Sequence, residues 1–195
     1  HLYCSIILHK LNLIGDIMKK EKIIKERQSN VSKAGKDKEK EVIQLLLSDN
    51  EIREHFSIGH PSKVLKNIEE LYIPYGDKSE MIDADVCVVR KKDNKLVCVI
   101  SVKKSFRERG AQTAYWALKV KQYKKDYRYL LATPDVDKEL FNPQSPENKR
   151  KWRVILPFES DGVFVYSYDG KLYEEHKFYV GKDYLLEYIK SLISS

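Results

Sequence analysis

An acidic residue and a lysine stand at the ends of two consecutive apolar segments of this chain. Asp85 comes directly before the apolar run Val86–Val89, and Lys103 follows the run Leu96–Ile100 with two residues between. A carboxylate can hold a hard divalent cation through oxygen, and that cation can stabilise charge on a phosphate and acidify an attacking water. A lysine beside it can orient the water or neutralise the transition state. The pair is therefore the minimal apparatus for metal-dependent hydrolysis of a phosphodiester.

A hairpin is the element that would bring these two residues together. The segments Ile82–Val89 and Leu96–Val102 are rich in β-branched residues and are separated by the polar turn Lys91–Asn94, which predicts two antiparallel strands. A surface hairpin with solvated ends would carry similar residues, and a short motif is weak by itself. The nearly unbroken apolar run ahead of Lys103 is typical of a central strand. This apolar run favours a functional role for Asp85 and Lys103 over a surface hairpin with solvated ends.

The alternation of side chains along a strand groups the polar residues of this hairpin. Asp83 and Asp85 are expected on one face, and Ser101 and Lys103 are expected on one face of the following strand. Asp83 and Asp85 therefore compete for the role of metal ligand. We prefer Asp85, because the apolar strand continues directly from it.

The remaining segments predict an α/β architecture, one mixed sheet flanked by helices. We expect residues 18–195 to form a single domain, and residues 1–17, which precede Met18, to be an upstream extension outside it. The other predicted elements are helices at Lys36–Leu47, Ser62–Leu71, Arg107–Tyr123 and Tyr184–Ile193, and strands at Tyr127–Ala132, Val154–Leu156 and Val163–Tyr168.

The composition of the chain limits which classes of partner and which cellular compartment we expect. Lys and Arg exceed Asp and Glu by 36 to 29, and the net charge of +7 permits a polyanionic partner, nucleic acid before an anionic membrane. The apolar segment Leu2–Ile14 is too short to span a bilayer and lacks the features of a signal peptide. The 3 cysteines show no CxxC spacing, which points to a reducing compartment, with the cytoplasm as default. No glycine-rich phosphate loop occurs, so we expect no nucleotide cofactor.

Several segments resemble one group of nucleases. Asp85–Val89 and Val97–Lys103 resemble the core of the PD-(D/E)xK superfamily, in the variant where a serine, here Ser101, replaces the acid two residues before the lysine. Arg107-Glu108-Arg109 with Gln112 resembles the start of the recognition helix in type II restriction enzymes related to EcoRII, PspGI and the CCGG group. Ser32–Lys36, followed by Glu39, and Lys151–Pro157 resemble further segments of these enzymes. The resemblance implies a restriction-endonuclease-like fold.

The resemblance also implies catalytic roles. Asp85 would be the metal-binding acid, Lys103 the catalytic lysine, Ser101 the occupant of the missing acid's place, and Glu39 a supporting acid from the first helix. Serine-variant enzymes usually recover the lost acid from a glutamate farther along the recognition helix. Here Thr113–Ala117 contains no carboxylate, so Glu39 or a water would carry more of the metal binding.

Base reading is implied for the cluster after the second strand. Arg107, Glu108 and Arg109 would contact bases in the major groove, with Gln112 and Lys104 as further DNA contacts. Arginine pairs bidentately with guanine, and a carboxylate accepts from the amino group of cytosine. The resemblance accordingly implies a target site containing G·C pairs.

These inferences together predict a Mg²⁺-dependent type II restriction endonuclease that cuts double-stranded DNA at a short palindrome. A homodimer is expected, because two strands related by a twofold axis require two equivalent active sites. Two alternatives stay open. One is another nuclease of the same superfamily, of the repair or junction type, and the other is a catalytically inactive DNA-binding module on the same fold.

Overall fold

The computed structural model of the protein describes residues 35–107 and 109–194. Contacts within the chain divide it into residues 1–37 and residues 38–195, and the fold described below is that of the second unit. The predicted boundary at Met18 and the predicted extension before it lie outside the described residues. So do the segment Ser32–Ala34 and Glu108 of the proposed resemblance.

A seven-stranded mixed sheet in the order β1-β4-β5-β6-β7-β9-β8 forms the centre of this unit, and β2 and β3 form a separate hairpin. The strands β1, β4 and β5 are antiparallel neighbours, β5, β6, β7 and β9 run parallel, and β8 is antiparallel to β9. Within the described residues the strands are β1 (Phe56–Gly59), β2 (Tyr72–Tyr75), β3 (Lys78–Met81), β4 (Val86–Arg90), β5 (Lys95–Val102), β6 (Arg128–Thr133), β7 (Gly162–Val165), β8 (Tyr173–Glu175) and β9 (Phe178–Val180).

Helices cover both faces of the sheet. In the described part of the chain they are α1 (residues 35–48), α2 (Asn50–His55), α3 (Pro61–Val64), a 3-10 turn (Ile68–Leu71), α4 (Gly110–Gln122), α5 (Lys151–Glu159) and α6 (Lys182–Ser191). The helices α4 and α5 pack on one face through Ala117, Val120 and Leu156. On the other face lie α1, α2 and α6, with residues such as Val42 and Leu185. The predicted α/β architecture is confirmed.

The β4–β5 hairpin is the buried centre predicted from the sequence. All residues of β5 after Lys95 are buried, as are Val86–Val89 of β4. Such continuous burial is expected for strands covered on both faces. Cys87 and Cys98, both free and buried, lie within it.

One predicted strand is a helix. Val154–Leu156 was expected to be extended, but it belongs to α5. Arg153, Leu156 and Pro157 are buried, whereas Val154 and Phe158 are exposed. That spacing has the period of a helix lying on a sheet, and three apolar residues in a row were too few to distinguish it from a strand.

The predicted helix Ser62–Leu71 is not continuous, because residues 65–67 interrupt it. It is divided into α3 and the 3-10 turn, where the Asn67 side chain accepts the N–H of Glu69. The chain then enters β2 at Tyr72, which the sequence did not predict.

Further short elements were not predicted, because such short segments show no clear pattern in the sequence. Asp49 does end α1, but its carboxylate also accepts the N–H of Ile52 and so begins α2, which leads into β1. The edge strands β8 and β9 have only 3 residues each, too few to show alternation. Among the helices of the described residues, none combines the length and the apolar character needed to cross a bilayer.

Candidate active site

Four side chains singled out from the sequence meet at the end of β5. The Nζ atom of Lys103 lies 2.7 Å from Asp85 Oδ2 and 2.9 Å from Asp83 Oδ2. The hydroxyl of Ser101 donates to the same two oxygens, each at 3.4 Å. The three charged side chains are only 12 to 19% exposed. The site is therefore a half-buried pair of carboxylates closed by one ammonium group.

Backbone hydrogen bonds fix Asp85 and Lys103. The amide of Asp85 donates to the carbonyl of Ile100 at 3.3 Å, and the amide of Val102 donates to Asp85 Oδ2 at 2.6 Å. The amide of Lys103 donates to the carbonyl of Ala132, a residue of β6, at 3.1 Å. The site thus depends on three neighbouring strands, since β4, β5 and β6 each hold part of it.

Asp83 is held differently from Asp85. Both acids precede β4, which begins at Val86, so strand alternation is not what brings them together. The carbonyl of Asp83 accepts the hydroxyl of Tyr129 at 3.0 Å. Burial first, and the Asp83 carboxylate second, raise the pKa of Tyr129 well above its ordinary value. Tyr129 therefore remains a neutral hydrogen-bond donor that holds the main chain at Asp83. The carboxylates of Asp83 and Asp85 both face Lys103.

Lys103 stays protonated in this setting. Burial by itself lowers the pKa of its ammonium group, but Asp85 and Asp83 outweigh that effect and raise the pKa above its ordinary value. At neutral pH the side chain is therefore a fixed cation and hydrogen-bond donor. It can orient a water or stabilise negative charge, and it is not a base.

The donor set suits an oxygen-liganded cation. Two carboxylate oxygens, from Asp83 and Asp85, converge on one positively charged centre, the Lys103 ammonium. Mg²⁺ is commonly bound in this way, by one or two carboxylates and several waters. In residues 35–107 and 109–194 no three His, Cys, Asp or Glu side chains are grouped to hold a metal. A second carboxylate beside that of Asp85 is thus supplied by Asp83, whereas Thr113–Ala117 contains no acid.

Glu39 belongs to α1, the helix whose residues Val42 and Leu46 pack on the face of the sheet opposite α4 and α5. It is half-buried on α1, one and two turns before the buried residues Val42 and Leu46, and so shares their stripe of the helix. Glu41, in the same part of α1, contributes after burial to raising the pKa of Tyr166, directly beyond β7. The role of Glu39 in metal binding stays a prediction.

Arg107 and Arg109, two of the predicted base-reading residues, stand in a turn between β5 and α4. The helix begins at Gly110, three residues later than predicted, where the Gly110 amide donates to the Phe106 carbonyl at 3.0 Å. Arg107 and Arg109 are exposed in this turn. In the first turn of α4, Gln112 accepts from Arg109 Nη1 at 3.1 Å.

The loop after β6 supports this turn. Asp137 Oδ2 accepts the Arg107 amide at 3.2 Å, and the amide of Val136 donates to the carbonyl of Lys104 at 3.3 Å. The Lys104 side chain is exposed. The sequence analysis did not single out Asp137. It could have been noticed as an acid that lies two residues after Asp135 and shortly after a buried strand.

Comparison with known proteins identifies relatives by sequence. Residues 64–185 match the family model described as "BsaWI restriction endonuclease type 2". A Methanocaldococcus jannaschii protein named "Putative type II restriction enzyme MjaVIP" is 38% identical over 122 residues, 60% of this chain and 54% of the relative. A Helicobacter pylori protein named "Probable type II restriction enzyme HpyAORF263P" is 33% identical over 141 residues, 66% of this chain and 72% of the relative. The chain thus spans about half the length of the first relative.

A solved structure shares the fold. The structure described as "Crystal structure of pre-specific restriction endonuclease BsaWI-DNA complex" superimposes with a TM-score of 0.55 at 13% sequence identity. The match covers 92% of this chain and 68% of that chain. It confirms the restriction-endonuclease-like fold predicted from the sequence.

Proposed function

We propose a function from family membership and site geometry together: the chain belongs to the BsaWI family of type II restriction endonucleases, and we infer that it cuts double-stranded DNA. The reaction is hydrolysis of one phosphodiester in each strand at a short sequence. The observation that carries this proposal is the convergence of Asp83, Asp85 and the Lys103 ammonium at the end of β5. A scissile phosphate needs both a cation site and a donor to its developing charge, and this cluster offers both.

Asp83 and Asp85 are the residues that would hold the divalent cation, which we propose to be Mg²⁺. When bound, the cation supplies charge neutralisation at the scissile phosphate and a more acidic water. The Val102 amide keeps one Asp85 oxygen in place, and Ser101 donates to both acids. Glu39 is proposed as a supporting acid from α1.

Lys103 contributes a fixed positive charge. Its ammonium group would orient the attacking water or donate a hydrogen bond to the phosphoryl oxygens as negative charge accumulates on them. A donor fixed in advance in a half-buried site is worth more than one in water, because it does not have to reorganise during the reaction. The hydrogen bond from the Lys103 N–H to the Ala132 carbonyl keeps the base of the side chain in place.

The test is cleavage of supercoiled plasmid DNA with Mg²⁺ by the parent chain and by Lys103→Ala. We expect the variant to lose cleavage by about 10²–10³-fold. The matched control is Lys92→Ala, in the exposed turn between β4 and β5, which should cut like the parent. Unchanged cleavage by Lys103→Ala would remove the catalytic assignment. A parent chain that binds DNA but never cuts it with Mg²⁺ or Mn²⁺ would establish an inactive DNA-binding module instead.

Base reading is proposed for the turn after β5, with a target that contains G·C pairs. Arg107 and Arg109 are exposed at the edge where the catalytic cluster lies, and Glu108, Gln112 and Lys104 are proposed as their companions. Sequencing the ends of fragments from DNA of known sequence gives the site. Alanine at Arg107 or Arg109 should then reduce the preference for that site by about 1–3 kcal/mol. Equal weakening on all sequences would indicate phosphate contacts instead.

A homodimer is proposed because each chain carries one catalytic cluster, whereas the two strands of a palindrome need two. Large apolar side chains are exposed on the neighbouring helices α4 and α5, namely Tyr115, Leu118, Val154 and Phe158. The helices lie side by side, with Lys121 donating to the carbonyl of Phe158. Exposed apolar surface of this kind favours a protein partner, and a second copy would satisfy the symmetry of the DNA.

A further inference from the structure

Asp135 organises the loop that follows β6. Its side chain is buried, and its two oxygens accept backbone amides from Glu139 at 3.0 Å, Leu140 at 3.1 Å and Phe141 at 2.7 Å. Its own amide donates to Thr133 Oγ1 at 2.8 Å. Asp135 also has a positive φ of 49°, which aspartate tolerates better than most residues. The loop conformation thus depends on this one carboxyl group.

Asp137 extends from this loop to the proposed base-reading turn. Its Oδ2 atom accepts the amide of Arg107 at 3.2 Å. Its Oδ1 atom is buried, and no hydrogen-bond donor of the described residues reaches it. A buried carboxylate oxygen without a donor costs free energy comparable to a lost hydrogen bond or more. A neighbouring group that carries a proton would satisfy this atom.

The neighbouring carboxyl of Asp135 can supply that donor if it carries a proton. Burial raises the pKa of Asp135, the amides of Phe141 and Leu140 lower it, and the charge and hydrogen bonding of Asp137 raise it, to about 6 overall. Two carboxyl groups in contact cannot easily both ionise. One proton between them makes an O–H···O⁻ bond, which is short and strong.

Among the described residues, the groups that face the Asp135–Asp137 pair are mainly backbone amides. Besides the backbone amides of residues 139–141 and Arg107, the group that faces it is Tyr168, beyond β7, whose pKa is raised by burial and by Asp135. Glu139 is directed to Arg150 at 3.0 Å. In the described part of the chain no lysine or arginine forms an ion pair with Asp135 or Asp137. A shared proton is therefore the way to neutralise one of the two charges.

We propose that Asp137, joined to Asp135 by one shared proton, is a positioning residue that fixes the Arg107–Arg109 turn for DNA reading. The inference rests on the proposed function, because the turn is assigned to DNA through that function. With the proton present, two successive hydrogen bonds connect the loop to the turn. One joins Asp135 to Asp137, and the other joins Asp137 to the Arg107 amide. With both groups ionised, their repulsion weakens the tie.

The direction of the pH effect follows from the raised pKa of Asp135. Below the ordinary aspartate pKa of 3.8, the group is protonated in the folded and the unfolded chain alike, and it costs nothing. Between 3.8 and about 6 the unfolded chain ionises first, so the stability contribution of the group declines as pH rises. Above about 6 the cost is complete. The turn should accordingly be held more firmly at pH 5 than at pH 8.

The first experiment measures amide hydrogen exchange across residues 104–109 without DNA, at pH 5 and pH 8, corrected for intrinsic rates. We expect the Arg107 amide of the parent to be better protected at pH 5. Asp137→Asn should protect it equally at both values, since an amide side chain donates to Asp135 and accepts from Arg107 without a shared proton. Asp137→Ala should lose protection at both. Asp77→Asn, in the exposed turn between β2 and β3, is the control and should match the parent.

The second experiment compares the same variants in digests of plasmid DNA of known sequence with Mg²⁺. Asp137→Ala should lose about tenfold or more in its preference for the parent's site over sites with one mismatch, while Asp137→Asn keeps that preference. An Arg107 amide that exchanges equally in the parent and in Asp137→Ala overturns the proposal, as does an Asn variant that behaves like Ala. If exchange follows the expectation and no variant or parent cuts DNA, the tie is supported and the nuclease function is what fails.

Discussion

Asp85 and Asp83 carry the same carboxylate, but the backbone around them holds the two side chains unequally. One oxygen of Asp85 accepts the Val102 amide at 2.6 Å as well as the Lys103 ammonium at 2.7 Å. The Asp83 side chain has the ammonium at 2.9 Å and a long contact with Ser101. The main chain therefore orients the carboxylate of Asp85, whereas the carboxylate of Asp83 is freer to adjust as a metal ligand.

This difference predicts unequal losses from the same substitution. Asp85→Asn removes a charge and can turn an NH₂ group toward the Val102 amide, so we expect cleavage to decline by about 10²–10³-fold. Asp83→Asn removes a charge from a side chain without that backbone bond, and we expect a smaller loss. Single-turnover cleavage of supercoiled plasmid with saturating protein and Mg²⁺ measures both. A greater loss in Asp83→Asn would reverse the assignment of the principal ligand.

Residue-level prediction from the sequence succeeded where a regular element supplied the geometry. Ser101 and Lys103 could be placed together, because the apolar run before them identified a strand. The convergence of Asp83 with Asp85 was expected for the wrong reason, since both precede β4. Asp137 could not be placed at all. Its contact with Arg107 joins two loops 30 residues apart, and loops have no period from which such a contact can be derived.

Helix α4 is held against α5 at its first residue. Gly110 begins α4, and a methyl group added there would overlap the indole ring of Trp152. The rigid ring cannot yield as the end of a flexible side chain would. Glycine at this position therefore sets the distance between the two helices and the direction in which the turn before α4 points.

Gly110→Ala should consequently lower the free energy of unfolding by about 1–3 kcal/mol and reduce cleavage further by displacing Arg107 and Arg109. Urea unfolding followed by circular dichroism measures the first effect, and plasmid digestion measures the second. Gly35→Ala is the matched control, because no described atom outside the immediate chain lies within 4 Å of a methyl group there. A Gly110→Ala protein as stable as the parent would show that Trp152 can move aside.

At the level of elements, the sequence predicted β5, β6 and α6 close to their observed bounds, whereas the strand expected from Ile82 begins only at Val86. These are segments whose burial gives a clear apolar run or a helical stripe. The error at α5 arose because Val154-Ile155-Leu156 fits a strand when considered alone, and only Arg153 and Pro157 on the buried side reveal the helix. The stability of α5 comes from packing, which local sequence does not show.

The exposed apolar face of α4 and α5 bears on how whole molecules associate with each other. Leu118 is 49% exposed and Phe158 is 64% exposed. A protein that works alone would gain nothing from leaving such side chains in water, whereas two copies related by a twofold axis could bury them. This face is where we expect the proposed dimer to form.

Leu118→Glu should therefore weaken self-association, since a carboxylate would have to be buried in the interface. Sedimentation velocity over a range of concentrations should show a shift from dimer to monomer, and plasmid digestion should yield more nicked circles relative to linear DNA. Leu172→Glu, at a side chain 53% exposed elsewhere, is the control. A parent chain that sediments as a monomer at all concentrations would disprove the dimer itself.

The bond from the Lys103 amide to the Ala132 carbonyl has a consequence for synthesis in the cell. Asp85 and Lys103 leave the ribosome well before β6, and the hairpin that carries them can pair early. Yet the end of β5 is not anchored until residues 128–133 have emerged and paired in parallel with it, and parallel pairing is slow because it needs a long chain closure. The last step in fixing the main chain at Lys103 therefore waits for β6, although the hairpin that carries Asp85 and Lys103 can form before it.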